Sequence, residues 1–344
     1  MNATLDELRR PLDGDAFAAS IDAYRRDVIL LCYRFLGSLA EAEEAAQETA
    51  LRAWRARDRF RGESGLRTWL HRIAARVCLD LLRSRRGRGR ALPPTVAAAS
   101  TDPGAPPAPP RLDIPWLDPI PDDIVAGAAQ EAGAELDPAA RYDQRESVSL
   151  AFIAALQSLP ARQRAVLLLR DVLGWQAAEA ASALEMSVPA VNSALHRART
   201  AMRSTHHRTG LAAVPDRPPP DAVTRSLLDA YVRAWSTDDV GGLLATMRED
   251  VRLAMPPSPT WFDGRSAVED ALRTWVFGSL RPPSGYRLIP TGANGQPATL
   301  FGPADEPSKL DGVHVLDVDG QGRLVAATIF LDPAIAERFL RVAG

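Results

Sequence analysis

Residues 188–203, "VPAVNSALHRARTAMR", gather Asn192, Ser193, His196, Arg197, Arg199 and Arg203 with no carboxylate among them. An amide and a hydroxyl can donate and accept at a base edge, and guanidinium groups reach phosphates or guanine. Val191, Leu195, Ala198 and Met202 recur at helical spacing, so the opposite face is aliphatic. Ser187 stands where an N-cap belongs, and Pro189 falls in the first turn, where a missing N–H costs little. Residues 176–184 predict a preceding helix, and Glu185, Met186 and Ser187 a three-residue turn, which is helix-turn-helix spacing. Two readings stand: a nucleic-acid reading helix, or an amphipathic surface helix with a solvated polar face.

The elements that would position this helix occupy a chain of 344 residues, too long for one ordinary core, so two or three domains are expected. Net charge is −2, but the charges are segregated. Residues 1–92 carry +5, residues 93–146 carry −7, residues 147–210 carry +4 and residues 211–344 carry −4. Two basic segments around an acidic one suit a nucleic-acid binder better than a metabolic enzyme. Lys309 is the one lysine beside 40 arginines, so arginine richness by itself is discounted as a sign of phosphate binding. Cys32 and Cys78 lie in apolar helical runs without metal-ligand spacing, and neither a metal nor a cofactor is expected. With no signal-like segment and no run of about 18 apolar residues, a soluble, cytoplasmic protein without a membrane partner is expected.

Residues 15–86 predict nearly continuous helix, with a stop at Gly37 and a capping box from Ser38 to Glu41. Pro, Ala and acidic residues from 93 to about 140 predict a linker with an apolar anchor at "IPWLDPIPDD". After a second proline break at "PDRPPPD", residues 221–344 begin with helices. They end in two β-rich runs joined by "DGQG", a predicted hairpin in an α+β domain.

The segments "AEEAAQETALRAW", "FRGESGLRTWLHRIA", "CLDLLRSRR", "LPARQRAVLLLRDVLGW" and "SVPAVNSALHRAR" together resemble an extracytoplasmic-function sigma factor of the sigma-70 family, the promoter-specificity subunit of bacterial RNA polymerase. "WLDPIPD", "MPPSPTWFDGR" and "NGQPA" resemble the actinobacterial subgroup with a fused C-terminal SnoaL-like domain. The resemblance implies a multidomain chain: two all-α helical sigma domains, the second with the helix-turn-helix, followed by an α+β cone-shaped SnoaL-like barrel. The implied boundaries are 15–88 for region 2, 89–146 for the linker, 147–208 for region 4 and 218–344 for the SnoaL-like domain.

The implied partners are core RNA polymerase, through the clamp coiled coil of its largest subunits, and promoter DNA. Glu44, Gln47, Glu48, Arg52 and Trp54 match the segment that docks on the clamp. Phe60, Arg61, Thr68, Trp69 and Arg72 match the segment that opens the −10 element, where aromatic rings beside cations suit unstacked bases. Trp69 reads equally as a core tryptophan. Arg76, Arg83, Arg85 and Arg86 continue the basic side toward phosphates. Many relatives carry Asn where Arg76 stands, which favours a phosphate role there. Ser187, Asn192, Ser193, His196, Arg197 and Arg199 match the reader of the −35 element. The linker reads either as an acidic imitation of nascent RNA or as a solvated tether; the apolar anchor is expected to dock on the C-terminal domain.

A SnoaL-like cone implies a pocket for a small-molecule ligand. Trp235, Met255, Trp261, His314, Phe330 and Asp332 are the candidate pocket residues, with His314 also readable as a core or pairing histidine. No carboxylate pair or Asp/His dyad stands at fixed spacing, so no catalytic residues are expected. The competing reading is a SnoaL-type isomerase or hydrolase domain tethered to a DNA-binding module. In the favoured one the third domain modulates the sigma factor.

Overall fold

The computed structural model describes residues 14–60, 62, 64–84, 89–131, 146–209 and 221–342. In chain order its helices are α1 (Gly14–Asp22), α2 (Arg25–Leu36), α3 (Leu39–Arg55), α4 (Leu66–Ser84), a single turn α5 (Pro93–Val96), α6 (Asp122–Glu131), α7 (Leu150–Gln157), α8 (Ala161–Leu167), α9 (Ala177–Leu184), α10 (Val188–Thr209), α11 (Asp221–Ser236), α12 (Val240–Ala245), α13 (Arg265–Ala271) and α14 (Pro333–Val342). The strands are β1 (Met247–Ala254), β2 (Trp261–Asp263), β3 (Tyr286–Ala293), β4 (Gln296–Pro303), β5 (Gly312–Val318) and β6 (Leu324–Phe330). None of the described helices is long and apolar enough to cross a membrane.

Two compact units result. One comprises Met1–Gly89, Ile124–Asp137 and Leu156–Arg203; the other comprises Arg90–Asp123, Pro138–Ala155 and Ser204–Gly344.

In the first unit α2 ends at Gly37, whose φ of 68° is the left-handed C-cap that glycine tolerates. Ser38 holds the N-cap position of α3 in extended backbone, but its side chain makes no capping hydrogen bond, so the expected capping box is not formed. An ionic cluster lies inside the α2–α4 packing. Arg67 donates to both Asp27 carboxylate oxygens (2.7 and 2.9 Å), and His71 Nε2 lies 2.7 Å from Oδ2. Burial raises the Asp27 carboxyl pKa, but the Arg67 and His71 hydrogen bonds outweigh it and hold the group below the usual carboxylate range. Arg164, on α8, is fully buried; it donates to Phe35 O at the end of α2, to Gln157 Oε1 (2.7 Å) and to the carbonyls of Gln157 (3.0 Å) and Leu159 (3.2 Å). Burial brings its guanidinium down to about 10.

The second unit holds a six-stranded sheet in the order β2-β1-β6-β5-β4-β3, antiparallel except for the parallel β1–β6 pair. The α+β architecture expected of this region is present, but the sheet is open and does not close into a barrel. Its edges are β2, only three residues long, and β3; irregular register near Met247/Arg252 and Asp317/Val318 curves the surface between them. The β5–β6 hairpin forms as expected, with Gly322 at φ 79° in its turn. The concave face is filled by side chains: Tyr231 and Trp235 from α11 pack among Phe277, Tyr286, Phe301, Leu316 and Ile329.

Residues 90–123, read from sequence as a linker, belong to this second unit, and their apolar anchor packs there. Leu117 and Ile120 are fully buried, Trp116 is half-buried, and Asn294 in the β3–β4 turn bonds Ile120 twice: Oδ1 accepts from Ile120 N (3.0 Å) and Asn294 N donates to Ile120 O (2.9 Å). Gly295 N donates to Asp122 Oδ1 at 2.7 Å. "WLDPIPD" and "NGQPA", far apart in sequence, therefore meet.

Candidate nucleic-acid and polymerase interfaces

Helix α10 is two-faced. Val191, Ala194, Leu195, Ala198 and Met202 are buried, whereas Asn192, Ser193, His196, Arg197 and Arg199 are exposed. The turn before it depends on Glu185, which holds φ 54° and caps α9; Ser187 then caps α10, its Oγ accepting from Ala190 N at 3.3 Å. On the exposed face Arg197 donates to Ser193 Oγ (2.7 Å). Arg199 makes a bidentate pair with Asp171 at 2.9 and 2.7 Å, which raises its pKa. Asn192 and His196 therefore stand clear at the centre, and Arg199 is tied at the edge by an acid that sequence reasoning had not linked to it.

Along α4, Thr68, Trp69 and Arg72 are half-buried and Arg76 and Arg83 exposed. Phe60 packs on Trp69 with ring centroids 5.1 Å apart, and Trp69 also meets Phe17 at 6.3 Å. Trp69 thus meets Phe60 in a tilted and Phe17 in an edge-on contact and is half-buried. Arg61, Arg85 and Arg86 lie outside the described residues.

The cations of α4 already have partners within the same unit. The Arg72 guanidinium sits 5.8 Å from the Trp175 ring. Arg76 Nε donates to Ala183 O at 3.2 Å, and its Nη2 lies 3.3 Å from Glu185. Arg83 pairs with Asp80 at 2.8 Å. Trp175, Ala183 and Glu185 all belong to the helix-turn-helix segment, so that segment lies across the cationic face of α4. No local sequence signal marks these contacts, because Arg76 and Ala183 stand 107 positions apart.

On α3, Glu44 and Gln47 are exposed and Glu48, Arg52 and Trp54 half-buried. Glu44, Glu48 and Arg52 follow one another at four-residue spacing; Arg52 bonds Glu48 (2.7 Å) and Asp80 (3.1 Å), which raises its pKa. Gln47 and Trp54 instead border a groove of about 450 Å³ whose apolar lining includes Ile21, Val28, Ala46 and Leu51. Leu51 is 51% exposed and lies off the buried Ala42–Ala46–Thr49–Ala53 stripe of the same helix.

The candidate pocket residues of the second unit do not assemble. Trp235 and Met255 share the concave core, and His314 stacks on Trp235 with centroids 4.7 Å apart. Trp261 instead donates Nε1 to Ala97 O at 2.9 Å. Phe330 pairs with Val313 and Ile329 with His314, so strand alternation puts Phe330 on the face of the sheet opposite His314 and the core residue Ile329. Asp332 caps α14 through Ala334 N (2.9 Å). The Tyr231 hydroxyl bonds His314 Nδ1 at 2.9 Å, and burial pushes His314 down to about 3 and Tyr231 well above its ordinary value. His314 Nε2 has no partner among the described residues, nor does Thr299 Oγ1 on the neighbouring strand position. The arrangement is a neutral core histidine. Among the described residues no cluster of His, Cys, Asp or Glu is placed to hold a metal ion.

Residues 21–88 match the Sigma-70 region 2 family and residues 149–202 the Sigma-70, region 4 family. The chain is 39% identical over 339 residues to the ECF RNA polymerase sigma factor SigG of Mycobacterium tuberculosis, covering 96% of this chain and 86% of that protein. It is 42% identical over 74 residues to the ECF RNA polymerase sigma factor SigW of Bacillus subtilis, covering 22% and 40% respectively. The crystal structure of the Mycobacterium tuberculosis extracytoplasmic function sigma factor SigJ shares its fold, with a TM-score of 0.54 at 18% identity, over 94% of this chain and 98% of that one.

Proposed function

Since this chain belongs to the extracytoplasmic-function sigma factors, which direct RNA polymerase to promoters, we propose a division of labour among its surfaces. Helix α10 reads the −35 element: Asn192 and Ser193 at base edges, His196 and Arg197 beside them, Ser187 fixing the helix start, and Arg199 toward phosphate. Phe60, Thr68 and Trp69 receive unstacked bases of the −10 element, and Arg72, Arg76 and Arg83 its phosphates. Glu44, Gln47, Glu48, Arg52 and Trp54 meet the polymerase clamp. The observation that carries this reading is α10, whose carboxylate-free polar face is exposed while its aliphatic face is buried.

The closed first unit adds a condition. Promoter elements about 25 base pairs apart are separated by roughly 85 Å at 3.4 Å per base pair. Arg76 and the α9 backbone are in hydrogen-bond contact, so one closed unit spans no such distance. Initiation then requires the helix-turn-helix to leave α4, and core polymerase drives that opening by binding the open form better. The C-terminal domain modulates the step through residues 90–123, which it holds. The filled concave face and a histidine kept neutral by burial support a regulatory rather than a catalytic role for it. A small-molecule ligand would enter by displacing side chains of that core.

Run-off transcription with purified core polymerase on a promoter library tests the reading. Transcripts from a shared pair of motifs are expected, lost with Asn192→Ala/Arg197→Ala and altered in rate by ending the chain at Pro218. No initiation from the intact chain would favour the tethered-enzyme reading.

A further inference from the structure

The linker crosses the edge strand β2 on a set of contacts unlike those of a solvated tether. Five of the eight residues from 103 to 110 are proline, so the segment has many carbonyls and few amides. The surface beneath it supplies donors. Trp261 Nε1 donates to Ala97 O (2.9 Å), Trp275 Nε1 to Pro103 O (3.0 Å) and Ser258 Oγ to Ala108 O (2.8 Å). The few amides are met in return: Ser100 N by Trp261 O (2.9 Å), Ala108 N by Thr260 Oγ1 (2.8 Å) and Arg111 N by Pro257 O (2.9 Å). The amides of Gly104 and Ala105 close on Asp102 in a Pro-Gly turn. Pro103, Ala105 and Pro107 are half-buried, while Pro106, Pro109 and Pro110 are exposed.

Indole N–H groups aimed at carbonyls of a proline-rich segment are the recognition chemistry of aromatic-lined proline grooves, in which a stiff ligand loses little entropy on docking. We propose that Trp261, Trp275, Ser258 and Thr260 form a binding groove for proline-rich extended peptides. Its resident ligand is residues 97–111 of the same chain, held reversibly. The inference stands on contacts inside the second unit and does not depend on how the first unit reads DNA.

Two variants of the full-length protein test it by amide hydrogen exchange. In Trp275→Phe an aromatic group stays, but the Nε1–H that reaches Pro103 O is lost along with one ring of the indole; exchange at Ser100, Ala108 and Arg111 is expected to quicken several-fold, up to about tenfold, the weight of one hydrogen bond. In the second, Pro106, Pro107, Pro109 and Pro110 are replaced by serine, which keeps the length and removes the stiffness. A synthetic peptide of residues 97–111 added to this second protein is expected to shift the indole N–H resonances of Trp261 and Trp275. A peptide with the same four prolines replaced by serine is expected to bind about tenfold more weakly. Unchanged exchange in Trp275→Phe, no shift of the indole resonances, or equal binding of the two peptides would each overturn the proposal.

Discussion

Helices α4 and α10 carry similar chemistry, cations and hydrogen-bonding groups on one side and apolar packing on the other, yet they differ in availability. On α10 the polar face is bare, apart from Arg199, which Asp171 holds. On α4 the corresponding cations are occupied by Trp175, Ala183 and Glu185. A reading face is thus defined twice: once by its residues, which the sequence carries, and once by what covers it, which only packing decides. Under the proposed division of labour, the work of assembly with polymerase falls on α4, because the polar face of α10 is already exposed.

The largest expected effect falls on the open face. Asn192→Ala with Arg197→Ala should remove about 3 kcal/mol of promoter discrimination, at ~1–3 kcal/mol per base contact, and leave the melting temperature unchanged because both side chains are exposed. Loss of −35-dependent transcripts of more than about a hundredfold, with unaltered melting, is the expected result. A fall in melting temperature would mean that the face is structural, and the contrast with α4 would fail.

Next is the clamp beneath the covered face. Asp27→Asn should destabilise the first unit by about 2–3 kcal/mol in chemical denaturation, because Arg34 and Arg67 would lose the carboxylate they face. The lowered Asp27 pKa gives the pH dependence its sign. The folded value lies below the unfolded one, so the stabilisation is present above the ordinary carboxylate pKa and declines as pH falls through the folded value. The Asn variant should lose that acid-side slope.

Arg164→Met should cost about 2 kcal/mol, since Phe35 O, Gln157 and Leu159 O lose a buried donor. Because Arg164 joins α8 to the end of α2, the same variant should expose α4 amides to faster hydrogen exchange, which sharpens the comparison. The smallest effect is at the surface. Glu185→Gln removes an exposed ion pair with Arg76 worth well under about 1 kcal/mol, so binding of single-stranded −10 DNA should rise less than about threefold. A decrease would show that Glu185 does not restrain Arg76.

Much of this was legible along the chain. The α10 stripe, the Ser187 cap and the turn over Glu185, Met186 and Ser187 follow from local spacing and are found where expected, whereas the left-handed backbone of Glu185 runs against its residue type. The shared face of His314 and Leu316 followed from strand alternation, and Gly37 from the need for a left-handed cap. What escaped the sequence is long-range and polar. A buried arginine such as Arg164 looks like any exposed arginine until its carbonyl partners are known. The proline-rich linker reads as loose because its ligands, two indole N–H groups and two hydroxyls, lie about 150–170 positions away. The candidate pocket residues were grouped by type rather than by contact: Trp235 and Met255 share the core, whereas Trp261 is bonded to Ala97 O and Asp332 caps α14.

The most direct test of the account is the distance between α4 and α9 in solution. Cysteines introduced at the exposed positions Asp80 and Ser182 can be labelled selectively, because Cys32 and Cys78 are fully buried. Energy transfer between the two labels should be high in the free protein and should collapse when core polymerase is added, as the helix-turn-helix leaves α4. Transfer that is already low in the free protein, or that stays high in a transcriptionally active holoenzyme, would contradict it.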